Sequence, residues 1–571
     1  MIVRLFLLLL ATLSLCAAGP FRGAAVPWTT YEAEAMAGTG TKLGPQYEPG
    51  RIESEASGQQ CVALTAPGQY LEFTAREAAN AIVVRYSLRD AEQGGGIDAL
   101  LDLYQNGRLV AKLPLTSRYS HLYGAYPFTN DPKDGHPRNF FDEARLAGLA
   151  LARNDVLRLQ MEATNTADAC VIDFADLENA PAPLARPANS LAVTDVRFGA
   201  AGDGQADDTV PVRQCIVAAQ KENKIVWLPP GVFKITGDID LPPGVILQGA
   251  GLWHTTLAGD RALYGDAHRR VRLNGGGNDI HLADFAILGR LDYRSDTELN
   301  DGITGFFGLN STLSRLWVEH TKTGIWVDNS SNLVVDGCRF RDTIADGVNF
   351  CVGMRNSTIR NCTARGTGDD GFAIWPATHA PQAFRPGGNV ISHCTAQFPF
   401  LANGAAIYGG EGNRIEACRF VDVAAGCGVL ISTAFPTSDP AKQIDNNFSG
   451  TTVVCDCDLV RCGGYDPFWR WRGALQLCLD RHGISGLDLR DLNIQDSLAD
   501  GLSIVASDSA RGRERLTGTR LRRVAIAGAG TGVAGHHGLS VASDVSGSLG
   551  IADSQIAGEE NSSSLFTIER D

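Results

Sequence analysis

Beyond position 300 the apolar residues recur as pairs one residue apart, each pair following a glycine. Val348 and Phe350 follow Gly347, Phe372 and Ile374 follow Gly371, Ala405 and Ile407 follow Gly404, and Val429 and Ile431 follow Gly428. A period of two describes a short strand with one face turned inward. The residue–glycine–apolar signature starts at Asp301, Thr323, Asp346, Asp370, Asn403, Cys427, Arg472, Asp500 and His537, mostly 22–33 residues apart. Asn332, Asn356, Asn389 and Asn413 each stand fourteen residues ahead of such a position, with Cys338, Cys362, Cys394 and Cys418 in between. Short strands at this spacing predict an all-β solenoid, a right-handed parallel β-helix over 191–571. A leucine-rich repeat is excluded, because helical segments and a leucine frame are missing.

Upstream the pattern changes. Ala81–Ser87 and Ala99–Tyr104, the latter followed by Asn106-Gly107, read as strands and a turn, and predict a β-sandwich over 28–178. The proline-rich stretch around 181–190 predicts a linker, bounded at 179–190. Residues 1–18 combine Arg4, an apolar run from Leu5 to Leu15, and small residues after Cys16. They read as a secretory signal peptide, since the run is too short to span a bilayer. The expectation is a secreted or periplasmic protein, with no membrane segment after leader removal and monomeric.

Composition narrows the partners. A net charge of −14 excludes a nucleic-acid surface. The glycine count, 64 of 571, suits a chain made of turns and short strands. Export permits disulfides, yet four cysteines at matching repeat positions suggest stacked small hydrophobes. Cys455, Cys457 and Cys462 lack the paired spacing of a zinc site.

The chemistry gathers on Asp346, Asp369 and Asp370. Residues 23 and 24 apart fall on neighbouring rungs of the repeat. Strict alternation would turn Asp346 and Asp370 inward, a poor place for charge. Their column is polar throughout, so the glycine is expected to break the pleat and turn them out. Asp346 and Asp370 then stack at about the 4.8 Å interstrand spacing and grip one water. Asp369, offset from that pair, suits the acid, its pKa raised by two like-charged neighbours. For any single Asp-Gly, such as Asp301 or Asp500, the alternative is a turn residue at a solenoid corner. For the trio, the second alternative is a bound calcium. Outward Gly+2 positions place Trp326 and Asn349 on adjacent rungs. Trp375, which opens a long connection, and Tyr408 join them as expected sugar contacts. Tyr465, Phe468, Trp469 and Trp471 lie in the 432–472 insertion, either as sugar contacts or as packing residues.

The segments Val196–Thr209 and Trp227–Phe233 resemble the N-terminal cap of the pectin-lyase-like β-helix superfamily. An Asp followed 23 residues later by Asp-Asp on such a helix resembles glycoside hydrolase family 87, the α-1,3-glucanases and mycodextranases. That resemblance implies an inverting endo-hydrolase acting on a neutral α-glucan, with Asp369 as acid and Asp346 with Asp370 as base. Family 28 polygalacturonases share the triad logic but also carry a Gly-His-Gly and a basic pair for the uronate carboxylate. Here the next rungs, Asn403-Gly404-Ala405 and Gly426–Thr433, have neither. A lyase would want a Lys or Arg base, which the triad rungs lack. A non-catalytic sugar-binding surface protein is the third reading, and stacked like charges argue against it.

In the sandwich, Thr30–Glu34, Gly68–Phe73, Val84–Ser87 and Ile172–Phe174 resemble carbohydrate-binding modules of the family 6 and 35 type. The resemblance implies a structural Ca²⁺ held by Glu32, Glu34 and Asp173, with no cofactor for catalysis. A helper sandwich without sugar affinity is the alternative.

Overall fold

The computed structural model describes residues 21–135, 138–162, 167–466 and 470–571; the leader segment 1–18 and the aromatics Phe468 and Trp469 lie outside the described residues. The solenoid is a parallel β-helix. One of its faces is a twelve-stranded parallel sheet running from Asp238–Leu241 to Glu559–Asn561. Each of the nine glycine signatures opens a strand of this sheet, among them Ile325–Asp328, Val348–Phe350, Phe372–Ile374 and Ala405–Ile407. Its other three strands begin with the charged residues Asp238, Arg272 and Glu559, so an apolar signature passes over them.

Rung register follows the period-two pattern. Val348, Phe372 and Ala405 pair inward, while Trp326, Asn349, Ala373 and Ala406 form the outer column. The inward residues join one continuous apolar core with Cys338, Cys362, Cys394 and Cys418. All thirteen cysteines among the described residues are buried and free. The Cys338 amide donates to Cys362 Sγ at 3.4 Å, and Cys394 repeats this with Cys418. The helix Thr209–Glu222 covers the first rungs through Val212, Cys215 and Ile216. Among the described residues no helix is long and apolar enough to cross a membrane.

Two details correct the sequence reading. Gly347 and Gly371 do not adopt a left-handed backbone. They are glycine because the rungs touch there: a Cβ on Gly347 would stand 2.5 Å from the Gly371 carbonyl, and one on Gly371 2.6 Å from that of Gly404. The asparagine alignment slips by one residue. Asn332 and Asn356 share their left-handed position with Gly388, whereas Asn389 and Asn413 sit one place further along. Those two form a buried ladder, Asn413 Oδ1 accepting from the Asn389 amide at 3.0 Å and Asn389 Oδ1 from Ser357 at 3.1 Å.

The N-terminal body is a sandwich of two antiparallel sheets around its own core. It is docked on the solenoid rather than tethered to it. Arg339 forms a bidentate pair with Glu178 at 2.7 Å, Arg365 reaches Asp176 at 2.7 Å, and His320 meets Asp142 at 2.8 Å, all buried. Phe140 stacks on Phe400 with ring centroids 4.0 Å apart. Such pairs fix orientation more than they add stability. The expected linker lies along the solenoid, the Leu184 amide bonding Ala250 O at 2.9 Å.

Among the described residues, Glu32, Glu34 and Asp173, the calcium ligands expected in the sandwich, do not come together as a set of three side-chain ligands. Asp173 is buried against the Arg85 guanidinium and accepts the Ser57 amide at 2.9 Å. Glu32 and Glu34 each keep one buried oxygen without a partner. Burial raises both, Glu32 to about 8 with help from Asp173 and Glu34. Among the described residues, three or more ligating side chains come together only at Asp142–His320–Asp342 and at Asp346–Asp369–Asp370.

Candidate active site

The stacked rungs bring the three aspartates together. One carboxylate oxygen of each lies within 4.8 Å of the others. The Gly347 amide donates to Asp370 O at 3.0 Å, which sets Asp346 directly beside the next rung's Asp370. Asp346 and Asp370 are 6% and 2% exposed, whereas the Asp369 side chain is 33% exposed.

Each carboxylate has a distinct setting. Asp370 Oδ1 accepts from the amide and side chain of Asn403, at 3.2 and 2.7 Å, and Oδ2 accepts the Tyr408 hydroxyl at 2.8 Å. Asp369 Oδ2 is ion-paired with Arg294 at 2.7 Å. Asp346 shares the cleft with Asn349. Burial, then the neighbouring charges of Asp369 and Asp370, push Asp346 well above the usual carboxylate range. Burial, then Asp369, push Asp370 up to about 7, against the pull of Tyr408 and Asn403. The sequence reading placed the raised pKa on Asp369. In the structure the two buried members are raised, desolvation being the larger cause and like-charge repulsion the smaller. Groups this close titrate as a unit.

The trio floors a cleft of about 430 Å³. One wall is aromatic. Trp326 and Trp375 meet edge to face at 6.0 Å, and Phe435, 46% exposed, stands 5.4 Å from Trp375. Trp326 and Trp375 therefore both line the cleft beside the trio. Asn349 lines the same cleft, buried, with its Oδ1 unpartnered. Tyr408 borders it too, but buried beneath Phe435 with its hydroxyl on Asp370, so it supports the carboxylate rather than forming a platform. Tyr465 and Trp471 pack on each other at 5.4 Å, and Trp471 borders a separate cleft further along the solenoid.

The other wall is charged, and sequence reasoning missed it. Arg294, Asp296 and Glu298 come from the connection between His281–Leu288 and Gly302–Phe306; Lys322 comes from the rung before Asp346. The charged residues at every second position, Arg290, Asp292, Arg294, Asp296 and Glu298, just ahead of a glycine signature, were the available signal. These cations are engaged: Arg294 with Asp296 and Asp369, and the Lys322 ammonium with Glu298 O at 2.6 Å. Tyr126 of the sandwich closes the same wall. A larger cavity of about 610 Å³, between the two bodies near Trp28 and Trp253, contains none of the trio.

Residues 25–180 match the family described as α-1,3-glucanase catalytic domain D1, and residues 212–511 that described as α-1,3-glucanase catalytic domain D2. The chain is similar to the catalytic unit of a thermostable GH87 α-1,3-glucanase from Streptomyces thermodiastaticus, at 30% identity over 96% of both chains and a TM-score of 0.80. It is similar to the Agl-KA catalytic domain at 25% identity, covering 96% of this chain and 98% of that one, with a TM-score of 0.81. A GH87 α-1,3-glucanase catalytic domain in complex with nigerose matches at 25% identity over 96% and 99%, with a TM-score of 0.77. Others of these structures are single aspartate-to-alanine variants, at positions with the same mutual spacing as Asp346, Asp369 and Asp370. A curated glucan 1,3-β-glucosidase of Cochliobolus carbonum is 29% identical over 132 residues, 22% of this chain and 16% of that protein. The preneck appendage protein of Bacillus phage PZA is 25% identical over 243 residues, 39% of this chain and 26% of its own length. The chain thus spans about a quarter or less of these two curated relatives.

Proposed function

Because the chain belongs to the α-1,3-glucanases of glycoside hydrolase family 87, we propose that it cuts α-1,3-glucosidic bonds within a neutral α-glucan, by inversion, as an exported enzyme. The observation that carries this is the convergence of Asp346, Asp369 and Asp370 on the floor of a cleft with an aromatic wall. The equal spacing of the aspartates substituted in solved relatives supports the same trio. The leader pattern of residues 1–18 supports export.

The chemistry follows from unequal exposure. Burial, with repulsion from neighbouring charges, keeps protons on Asp346 and Asp370 into the neutral range. Asp369 is the member that faces the cleft; it takes a proton from its buried neighbours, leaving them ionised, and passes it to the departing glycosidic oxygen. Asp346 and Asp370, once ionised, take a proton from the attacking water. Carboxyls this close resemble the ≈5–5.5 Å spacing of retaining enzymes more than the ≈6.5–9.5 Å of inverting ones. Retention, however, needs a carboxylate free to reach the anomeric carbon. Both Asp370 oxygens already accept hydrogen bonds, and Asp346 is buried, so the smaller water is the nucleophile that fits.

The test is a substrate panel: α-1,3-glucan, nigeran, dextran and polygalacturonate, each with and without a chelator. New reducing ends are expected from α-1,3-glucan or nigeran, at a rate the chelator leaves unchanged. Release from polygalacturonate alone, or strict calcium dependence at the trio, would sink the reading.

A further inference from the structure

We propose that the N-terminal sandwich is a working part of the active site: its Asn130 and Tyr126 hold Arg294, and Arg294 sets the geometry of the aspartate trio. The inference rests on the reading of Asp369 given above and adds positioning residues to it.

The Arg294 guanidinium is 3% exposed and uses every edge. Nη1 donates to Ile344 O at 3.0 Å and to Gly368 O at 2.7 Å. Nη2 donates to Asp369 Oδ2 at 2.7 Å, and Nε to Asp296 Oδ1 at 2.8 Å. Ile344 lies two residues before Asp346, and Gly368 immediately precedes Asp369. One planar group therefore ties together the two backbone turns that present the trio, and grips one of its carboxylates as well. A lysine has no fixed fork and cannot meet four acceptors in one plane.

Arg294 does not hold itself. It sits in an irregular connection of the solenoid. Its backbone is clasped at both polar atoms by one side chain of the other body: Asn130 Oδ1 accepts the Arg294 amide at 3.1 Å, and Asn130 Nδ2 donates to Arg294 O at 2.6 Å. Tyr126 lies with its ring 5.6 Å from the guanidinium carbon and donates its hydroxyl to Asp296 Oδ2 at 3.1 Å. The loop that carries both is seated on the solenoid by an apolar cluster that includes Leu122, Phe140, Ile344 and Phe400, with Tyr126 and Phe128 against it. Ile344 belongs to that cluster and to the Arg294 clamp alike. The clasp, the guanidinium and the carboxylate thus form one continuous chain of contacts from sandwich to trio.

A shift of about 1 Å at a reacting group costs up to about 10²-fold in rate, so loosening this chain should act on turnover more than on binding. Asn130 has a left-handed backbone, φ 60°, so Asn130→Gly removes the clasp without backbone strain. The full chain is compared as wild type, Asn130→Gly, Asn130→Asp, Tyr126→Phe and Arg294→Lys, on an α-1,3-gluco-oligosaccharide. Asn130→Gly should lower kcat about tenfold or more, leave KM within about twofold, and displace the pH–rate profile. Asn130→Asp, which keeps the acceptor for the Arg294 amide, should recover part of the loss. Arg294→Lys should lose on the order of 10²-fold in kcat. A crystal structure of Asn130→Gly should show Arg294 released from Gly368 O or Asp369. Wild-type kcat and pH profile in Asn130→Gly would overturn the proposal, and so would an unmoved Arg294 in its crystal structure. Wild-type activity that survives Asp369→Asn would instead overturn the reading of the trio. If none of the glucans is cut, the crystal structure alone decides.

Discussion

The Tyr408 hydroxyl lies 2.8 Å from Asp370 Oδ2, so a buried phenol stabilises the charged form of a buried carboxylate. Asp370 stands at about 7 with that bond in place. Removing the donor raises it further, by about one to two pH units for a hydrogen bond to a charge worth ~1.5–3 kcal/mol. The proton-accepting form is then reached only at higher pH. Tyr408→Phe should move the acid limb of the kcat profile upward by about one to two units and leave the rate well above the displaced limb largely unchanged. A paired pH–rate series on the two proteins checks this; an unmoved acid limb would remove Asp370 from water activation.

The trio should behave as one device. Asp346→Asn, Asp369→Asn and Asp370→Asn should each cost on the order of 10²-fold or more in kcat, and double variants should lose little beyond the worst single one. NMR of the first product before mutarotation reports the stereochemistry. An α-linked glucan should release the β-anomer. The α-anomer appearing first would make one of the aspartates a nucleophile and exclude the direct attack by water.

Glu32 should make the sandwich weaker at high pH. Its carboxyl stands at about 8 in the fold against 4.5 for an ordinary glutamate, burial being the first cause. A carboxyl raised on folding binds its proton more tightly in the native state. The native state therefore carries no penalty below pH 4.5, loses stability as pH rises from there to about 8, and stays at the lower level above. Glu32→Gln, a neutral mimic, should raise Tm by several degrees at pH 8.5 and hardly change it at pH 4. A fall in Tm, matched by the effect of a chelator on the wild type, would mean that a cation occupies Glu32 and Glu34.

The glycine column should be intolerant even of alanine. A Cβ on Gly347 meets the backbone carbonyl of Gly371 at 2.5 Å, where neither side is a flexible side chain. Gly347→Ala should cost ~1–3 kcal/mol through overpacking and also lower kcat, because the rungs that part are those of Asp346 and Asp370. Gly550→Ala is the control: its nearest neighbour would be 3.8 Å away and its φ is not left-handed. Thermal unfolding and turnover of both variants check this. Equal behaviour would mean that the column does not govern rung spacing.

What the sequence determined by itself is the part of the protein that repeats. In a parallel solenoid each residue packs against the residue one rung away, so contacts recur at nearly constant sequence offsets. The offset from Asp346 to Asp370 was therefore enough to bring those carboxylates together, and the outward pairing of Trp326 with Asn349 followed from the same period. The reading slipped where an offset changed without an apolar signal, at Asn389 and Asn413. Only the tertiary structure decided what reaches the trio from the side. Asn130 lies 164 residues from Arg294, and Arg294 lies 75 from Asp369. No period links them, because the docking of one body on another is set by surface shape and by buried pairs such as Arg339–Glu178. The same holds for proton location. Like-charge spacing could be read from the chain, but burial is a property of the assembled cleft, and it is the first cause that raises Asp346 and Asp370.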